Sequence, residues 1–214
     1  MAQYIIDFQA FKDEQNRYIL KEVAIVSVFS DKVVHCLVKP LYSFGRLTPN
    51  CKALVNYLSS KQHGIFWEDG YMTAPETMRL IREVTRDAEK VLIKGSERAK
   101  YMSILSRKPA TDLDTLSCPR AKDLPSVTTS PDCFYYRHTP SHHQYFEACS
   151  LRRVYKLKQW YLDYLKSLTV ANQQPKDEHD TVEDGYDIAP CRIQERICCG
   201  RITPESKFTR SSYY

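Results

Sequence analysis

Six cysteine and histidine side chains lie within 32 residues of the sequence: Cys118, Cys133, His138, His142, His143 and Cys149. Zinc takes four ligands and accepts both of these residue types. The segment is rich in proline and serine and leads into a helix, and a bound ion can hold such an irregular connection in place. We therefore predict a structural zinc site with Cys118, Cys133, His138 and Cys149 as ligands. The alternative is a histidine-rich loop with free thiols, in which Cys149 lies on the apolar face of the helix.

Basic side chains concentrate in residues 90–108, which hold six lysines and arginines against a single acid, Glu97. The whole chain carries a net charge of +5, whereas residues 173–187 hold one lysine against six acids. A basic body followed by an acidic stretch suits binding to a polyanion such as nucleic acid. The residues predicted to contact phosphates are Lys94, Arg98, Lys100, Arg107 and Lys108. Solvated helix faces would produce the same charge pattern.

The elements that must position these side chains begin with three strands. Apolar runs cover residues 4–9, 17–29 and 33–39, and the second run is interrupted by the charged pair Lys21-Glu22. Short polar turns separate the runs, and such turns join antiparallel neighbours. The sequence therefore predicts a three-strand antiparallel meander.

Two helices are predicted next. Thr48 and Pro49 are suited to the start of the first helix, and Thr73 with Glu76 forms a capping box for the second. Their apolar faces are Leu54, Val55 and Leu58 in the first and Met78, Ile81, Val84 and Ala88 in the second. The loop between them carries Trp67, which we expect to pack over the core rather than to stack on a nucleic-acid base.

The second half of the chain mixes strand and helix signals. We predict a buried strand at residues 90–94, a basic helix at 96–105, a brief extended or one-turn element at 112–116 and an irregular connection at 117–141. A long amphipathic helix follows from His142 to Ala171. Residues 172–214 are polar and lack periodicity, so a mostly disordered tail is expected there. The element order predicts one α/β domain over residues 1–171, with a mixed sheet and helices on both faces.

Several short motifs occur in a recognisable order. They are Ile5-Ile6-Asp7-Phe8-Gln9, Lys21-Glu22-Val23-Ala24-Ile25, Val38-Lys39-Pro40, Leu92-Ile93-Lys94-Gly95, Leu113-Asp114-Thr115-Leu116, and His142/His143 followed by Ala148-Cys149. This order resembles the ribonuclease H-like 3′–5′ exonucleases of the DEDD type over residues 3–170. Those enzymes open with Asp-x-Glu on the first strand, and they end with an Asp-Thr element and a helix headed by His-x4-Asp.

A second resemblance rests on shorter pieces. Asp-x-Gln-x-Phe begins at Asp7, Lys-Glu-Val-Ala at Lys21, His-Gly-Ile-x-Trp at His63 and Lys-Gly-x-Glu-Arg at Lys94. Together with the late cysteine and histidine cluster, they are similar to uncharacterised proteins from insects and from their viruses or mobile elements.

The exonuclease resemblance implies a site in which several carboxylates hold two Mg²⁺ or Mn²⁺ ions ~4 Å apart. Asp7 matches the first acid, but Gln9 replaces the second with an uncharged amide. Lys100 or Tyr101 stands where a later acid is expected, and Ala148 or Cys149 stands where the last one is. So little negative charge implies that metal affinity, and with it catalysis, is lost.

Two further sets of residues belong to the same predicted site. Glu22 and Asp114 could supply carboxylates from neighbouring elements and complete a rearranged acid set. His142 and His143 match the histidine that serves the family as a general base.

Three functions remain open. The first is a catalytically degenerate, exonuclease-like module that binds DNA or RNA, is not an enzyme and carries at most a structural zinc ion. The second is an active metal-dependent 3′–5′ exonuclease with a rearranged acid set, which alone would need Mg²⁺ or Mn²⁺. The third is a structural or interaction protein of viral or mobile-element origin.

Composition excludes some classes of protein. An apolar fraction of 43% is that of a globular chain rather than a disordered one. No run of ~18 apolar residues occurs, so we expect no membrane partner. The first residues have neither the basic start nor the long apolar stretch of a secretory signal. An intracellular location, cytoplasmic or nuclear, with cysteines in the reduced state is therefore expected.

Overall fold

Three antiparallel strands open the fold, as the apolar runs predict: β1 (Ala2–Lys12), β2 (Tyr18–Ser27) and β3 (Val33–Leu37). In the turn between β1 and β2, Asp13 Oδ1 accepts hydrogen bonds from the backbone N–H groups of Gln15 and Arg17.

This computed structural model describes residues 2–138 and 140–171. Of residues 138, 140–143 and 171 it describes only the backbone. The tail predicted for residues 172–214 lies outside the described residues.

Two parallel strands complete the sheet, β4 (Ala88–Ile93) and β5 (Ala110–Asp112). The strand order is β3-β2-β1-β4-β5, which makes this a five-stranded mixed sheet and confirms the predicted α/β class. β1 is longer than its pairing with β4, which ends at Ile5 opposite Leu92. The second half of β1, from Asp7 onward, therefore extends past the carboxyl end of β4.

Helices follow close to the predicted positions, with one exception. They are α1 (Pro49–Leu58), α2 (Ala74–Val84), α3 (Ser96–Ser106), α4 (Phe134–His138) and α5 (Ser150–Ala171). The exception is α4, which is a short helix inside the connection at residues 117–141 that was predicted to be irregular. The capping box of Thr73 and Glu76 is present at the start of α2. Two further details differ from the prediction. Leu54 is exposed, because α1 turns Cys51 and Val55 to the core instead, and Ala88 begins β4 rather than extending the face of α2.

The sheet is covered on both faces. One face carries Ile5, Ala24 and Val26, and α5 packs on it through residues that include Val154 and Leu157. The other face packs against α2 and α3. Because side chains alternate along a strand, neighbouring residues of β1 and β2 contribute to two different cores.

A third cluster surrounds the far end of β1, where Phe11 packs against Trp67. Trp67 is buried as predicted, and its indole Nε1–H donates a hydrogen bond to the Tyr42 carbonyl at 2.9 Å.

The long helix starts later than predicted. Residues Pro140–Ala148 form 3-10 turns, and α5 begins only at Ser150. Two half-buried aromatic residues of this stretch, Tyr145 and Phe146, pack against the core that also contains Cys149.

None of the helices in the described part of the chain is both long enough and apolar enough to cross a lipid bilayer.

Candidate functional site

Asp7 lies where the exonuclease resemblance puts the first catalytic acid, and its surroundings are cationic. The side chain is wholly buried, on the part of β1 that extends past β4. Its Oδ1 is 2.7 Å from Arg98 Nη2, and its Oδ2 is 3.2 Å from Arg153 Nε. Neither contact has hydrogen-bond geometry, so the two ion pairs hold this carboxylate by charge. One acid and two guanidinium groups leave a net charge of +1 at this point.

The other residues of the predicted acid site are used elsewhere. The Gln9 side-chain amide donates to the Ala148 carbonyl at 2.5 Å. Asp114 is half-exposed and forms an ion pair with Lys94. In the described part of the chain, Asp7, Glu22 and Asp114 do not form one group that could hold a metal ion.

Three of the predicted site histidines, His138, His142 and His143, have side chains outside the described residues. Their predicted roles as a zinc ligand and as a general base stay predictions.

The predicted phosphate-binding residues divide into two groups. Lys94 donates hydrogen bonds to Asp114 and to the Cys118 carbonyl. Arg98 forms an ion pair with Asp7 and donates a hydrogen bond to the Phe8 carbonyl, and its guanidinium lies 4.3 Å from the centre of the Phe8 ring. Lys108 is half-buried, with its amine 3.4 Å from the Ala88 carbonyl. The two that remain exposed to solvent are Lys100 and Arg107.

A group of four potential metal ligands lies on the α5 face of the sheet, and we call it the Glu22 cluster: Glu22, His35, Cys133 and Cys149. Each residue offers one ligand atom, and the four atoms all lie within 4.8 Å of one another. His35 Nε2 is 2.8 Å from Glu22 Oε1 and 4.0 Å from Cys133 Sγ, and Cys149 Sγ is 3.3 Å from Glu22 Oε1. Carboxylate, imidazole and thiolate groups are all metal ligands, so this cluster could hold a metal ion.

Strand register brings the first two ligands together. Glu22 pairs with Leu37, and His35 pairs with Ala24, so Glu22 and His35 are diagonal neighbours on one face of β2 and β3. The pair Lys21-Glu22 that interrupts the second apolar run is explained by the same alternation. Glu22 points to the cluster, whereas Lys21 is buried elsewhere and donates hydrogen bonds to the carbonyls of Trp67 and Asp69.

The two cysteines each stand directly before a helix. Cys133 precedes α4 and Cys149 precedes α5. The Ser150 N–H donates to Glu22 Oε2 at 3.0 Å, and the backbone N–H groups of Tyr136 and Arg152 act to lower the pKa of the Cys133 and Cys149 thiols, respectively. N–H donors stabilise negative charge on sulfur and oxygen, which is the form that binds metals.

The charges of the cluster are coupled. Burial by itself lowers the pKa of His35, but hydrogen bonds to Cys133 and Glu22 outweigh it and raise that pKa to about 9. The hydrogen bond from Cys149, together with His35, lowers the pKa of Cys133 to about 5. Burial and the Cys133 sulfur raise the pKa of Cys149. These groups therefore favour one thiolate beside a charged imidazole when only protons are bound.

Two of the four predicted zinc ligands lie together in the structure. Cys133 and Cys149 come together, but Cys118 lies apart from the cluster, with its carbonyl bound to Lys94. Glu22 was predicted only as a carboxylate of the acid site, and His35 was not predicted as a ligand, because both lie about 100 residues from the two cysteines in the sequence. The available signal was a carboxylate inside an apolar strand, since such a group needs a partner when it is buried.

Comparison with models of protein families finds no match for this sequence, and comparison with curated proteins finds none either.

Proposed function

We propose that this chain is a ribonuclease H-like module that binds nucleic acid without cleaving it. The observation that carries the proposal is the pair of arginines on Asp7. Two-metal nucleases need several carboxylates, because only negative charge can hold two dications close together. A carboxylate between Arg98 and Arg153 offers no such charge.

The sheet supports the ribonuclease H-like assignment. The antiparallel meander, the parallel strands beside β1, the helices on both faces and the long final helix are the arrangement that the motif order implies. Asp7 lies beside the carboxyl end of β4, the edge at which mixed α/β sheets usually bind ligands.

Binding to nucleic acid is supported by charge. Lys100 and Arg107 are exposed and lie on and directly after α3, within the basic segment 90–108. Exposed cations of this kind contact phosphates without regard to base sequence.

Donor chemistry supports zinc as the ion of the Glu22 cluster. Two thiolates and an imidazole are ligands that zinc accepts readily, whereas magnesium and manganese prefer oxygen. One zinc per chain is therefore expected in freshly purified, unchelated protein when its metals are measured by mass spectrometry. A chain free of zinc would overturn this part of the proposal.

The functional proposal is tested with labelled single-stranded DNA and RNA, in Mn²⁺ and in chelator. We expect complexes that weaken steeply as salt rises, with no shortening of either strand. Shortening that requires Mn²⁺ and disappears in Asp7→Ala would instead support an active exonuclease with a rearranged site. Neither complexes nor shortening would support a structural or interaction protein.

A further inference from the structure

We infer that the zinc ion is bound by all four residues of the Glu22 cluster and that it fixes the start of α5, which places Arg153 on Asp7. This inference rests on the proposed zinc ion and goes further: the metal site controls the charge at the degenerate acid site. The two sites lie on the same face of the sheet, and α5 connects them.

The spacing of the ligand atoms suits one zinc ion. Bonds of about 2.0–2.3 Å in a tetrahedral arrangement separate the ligand atoms by about 3.3–3.8 Å. The shortest separation is 2.8 Å, between His35 and Glu22, and all four ligand atoms lie within 4.8 Å of one another. Side-chain shifts of up to about 1 Å would therefore complete the coordination.

Burial indicates a structural site. The side chains of Glu22, Cys133 and Cys149 are fully buried, and His35 alone of the four reaches a groove of about 570 Å³ that Tyr71 and Phe134 help to line. Four protein ligands fill the tetrahedron, and a structural zinc site differs from a catalytic one in having no position left for substrate.

The link to Asp7 is one helical turn long. Cys149 stands directly before α5, and the N–H of Arg153 donates to the Cys149 carbonyl at 3.1 Å. A ligand bond at Cys149 therefore sets the first turn of the helix, and that turn carries Arg153 to Asp7. Without the metal, the Cys149 thiol is held by a weak hydrogen bond to Glu22 Oε1 at 3.3 Å in place of a coordination bond, so the first turn of α5 is held less firmly.

Other contacts limit the extent of the change. The hydroxyl groups of Tyr135, Tyr136 and Tyr145 donate to carbonyls of residues 60–64. Removal of zinc should consequently loosen the start of α5 without unfolding the domain.

Hydrogen exchange of the full chain, measured by mass spectrometry before and after chelation, tests this inference. We expect backbone amides of residues 150–156 to exchange at least tenfold faster after chelation, and to recover when Zn²⁺ is added back. In arginine-labelled protein, the signal of the buried Arg153 Nε–H should lose protection by a similar factor, while the Nη signal of Arg98, whose Nη2 donates to the Phe8 carbonyl, should not.

Cys149→Ser should reproduce the chelated state, whereas Cys118→Ser, which alters a buried cysteine outside the cluster, should behave as the unaltered chain. Zinc-loaded protein whose residues 150–156 exchange equally fast before and after chelation would overturn the inference and leave the zinc proposal intact. A chain that never contains zinc would instead overturn the zinc proposal.

Discussion

Asp7 and Glu22 are two fully buried carboxylates on adjacent strands and on the same face of the sheet, yet their surroundings are opposite. Asp7 is neutralised by two guanidinium groups. Glu22 contacts an imidazole, a thiol and a backbone N–H. A buried carboxylate needs a partner in either case. The partner decides whether the site is closed by protein cations or can take up a metal.

The difference comes from what each strand meets. Asp7 lies on the part of β1 that extends past β4, and the first turns of α3 and α5 bring one arginine each into that space. Glu22 lies on β2, between β1 and β3, where its ion-pair partner among the described residues is His35 rather than an arginine, and the residues that precede α4 and α5 are cysteines. Asp7 therefore forms ion pairs with two arginines, whereas Glu22 belongs to a group of side chains that could hold a metal ion.

The largest effect is expected from Glu22→Ala. It removes a ligand and leaves the Ser150 N–H without its acceptor, so the free energy of unfolding should fall by on the order of 5 kcal/mol. Urea unfolding with and without chelator measures this. Chelator should destabilise the unaltered chain but have no further effect on the variant. An equal chelator effect in both proteins would show that Glu22 is not a ligand.

Asp7→Ala should cost somewhat less, about 3 kcal/mol, because Arg98 and Arg153 lose their counter-charge but keep partial access to water. Unlike Glu22→Ala, it should retain one zinc ion per chain. Asp114→Ala is the matched control at a half-exposed acid and should change stability by about 1 kcal/mol or less. Equal costs at Asp7 and Asp114 would contradict the cationic account of Asp7.

A third comparison concerns how stability depends on pH through His63, a buried residue outside both sites. Burial lowers the pKa of His63 from 6.5 to about 4. Between these two pH values the unfolded chain binds more protons than the folded chain. The contribution of neutral His63 to the free energy of unfolding is therefore complete above pH 6.5, and it is lost as the pH falls toward 4.

His63→Gln should therefore reduce the loss of stability between pH 7 and pH 5 by about 2 kcal/mol, measured by urea unfolding at the two pH values. Acid-driven loss of zinc occurs in both proteins and cancels in the difference. An unchanged pH dependence would assign the acid sensitivity to the Glu22 cluster alone.

The smallest effect is expected at the surface. Lys100→Gln with Arg107→Gln should weaken single-strand binding several-fold and lower the salt slope by about 1.4, because two phosphate contacts are lost. Lys61→Gln with Arg79→Gln removes the same charge from exposed positions outside the basic segment. Fluorescence anisotropy over a range of salt separates the two pairs, and equal losses would mean that only net charge matters.

Local signals predicted much of the fold. The turns around residues 13–16 and 30–32 predicted the meander, and the capping box predicted the start of α2. The buried face of α1 was predicted only in part, because packing around Phe11 and Trp67 selects Cys51 and Val55 over Leu54. Periodicity shows that a helix has an apolar face, but tertiary contacts choose how the helix is turned.

The candidate site was harder to predict. Cys133 and Cys149 lie near each other in the sequence, so their presence in one metal site could be predicted. Glu22 and His35 join them only through the register of β2 and β3 and through the return of the chain at α4 and α5. The arginine partners of Asp7 come from two helices on opposite faces of the sheet, and no local spacing encodes that meeting.

X-ray absorption at the zinc edge of the purified full chain would show whether the Glu22 cluster holds zinc. We expect one bound zinc with two sulfur ligands at about 2.3 Å and two nitrogen or oxygen ligands at about 2.0–2.2 Å. A first shell made only of nitrogen and oxygen, or a chain that holds no zinc, would contradict this expectation.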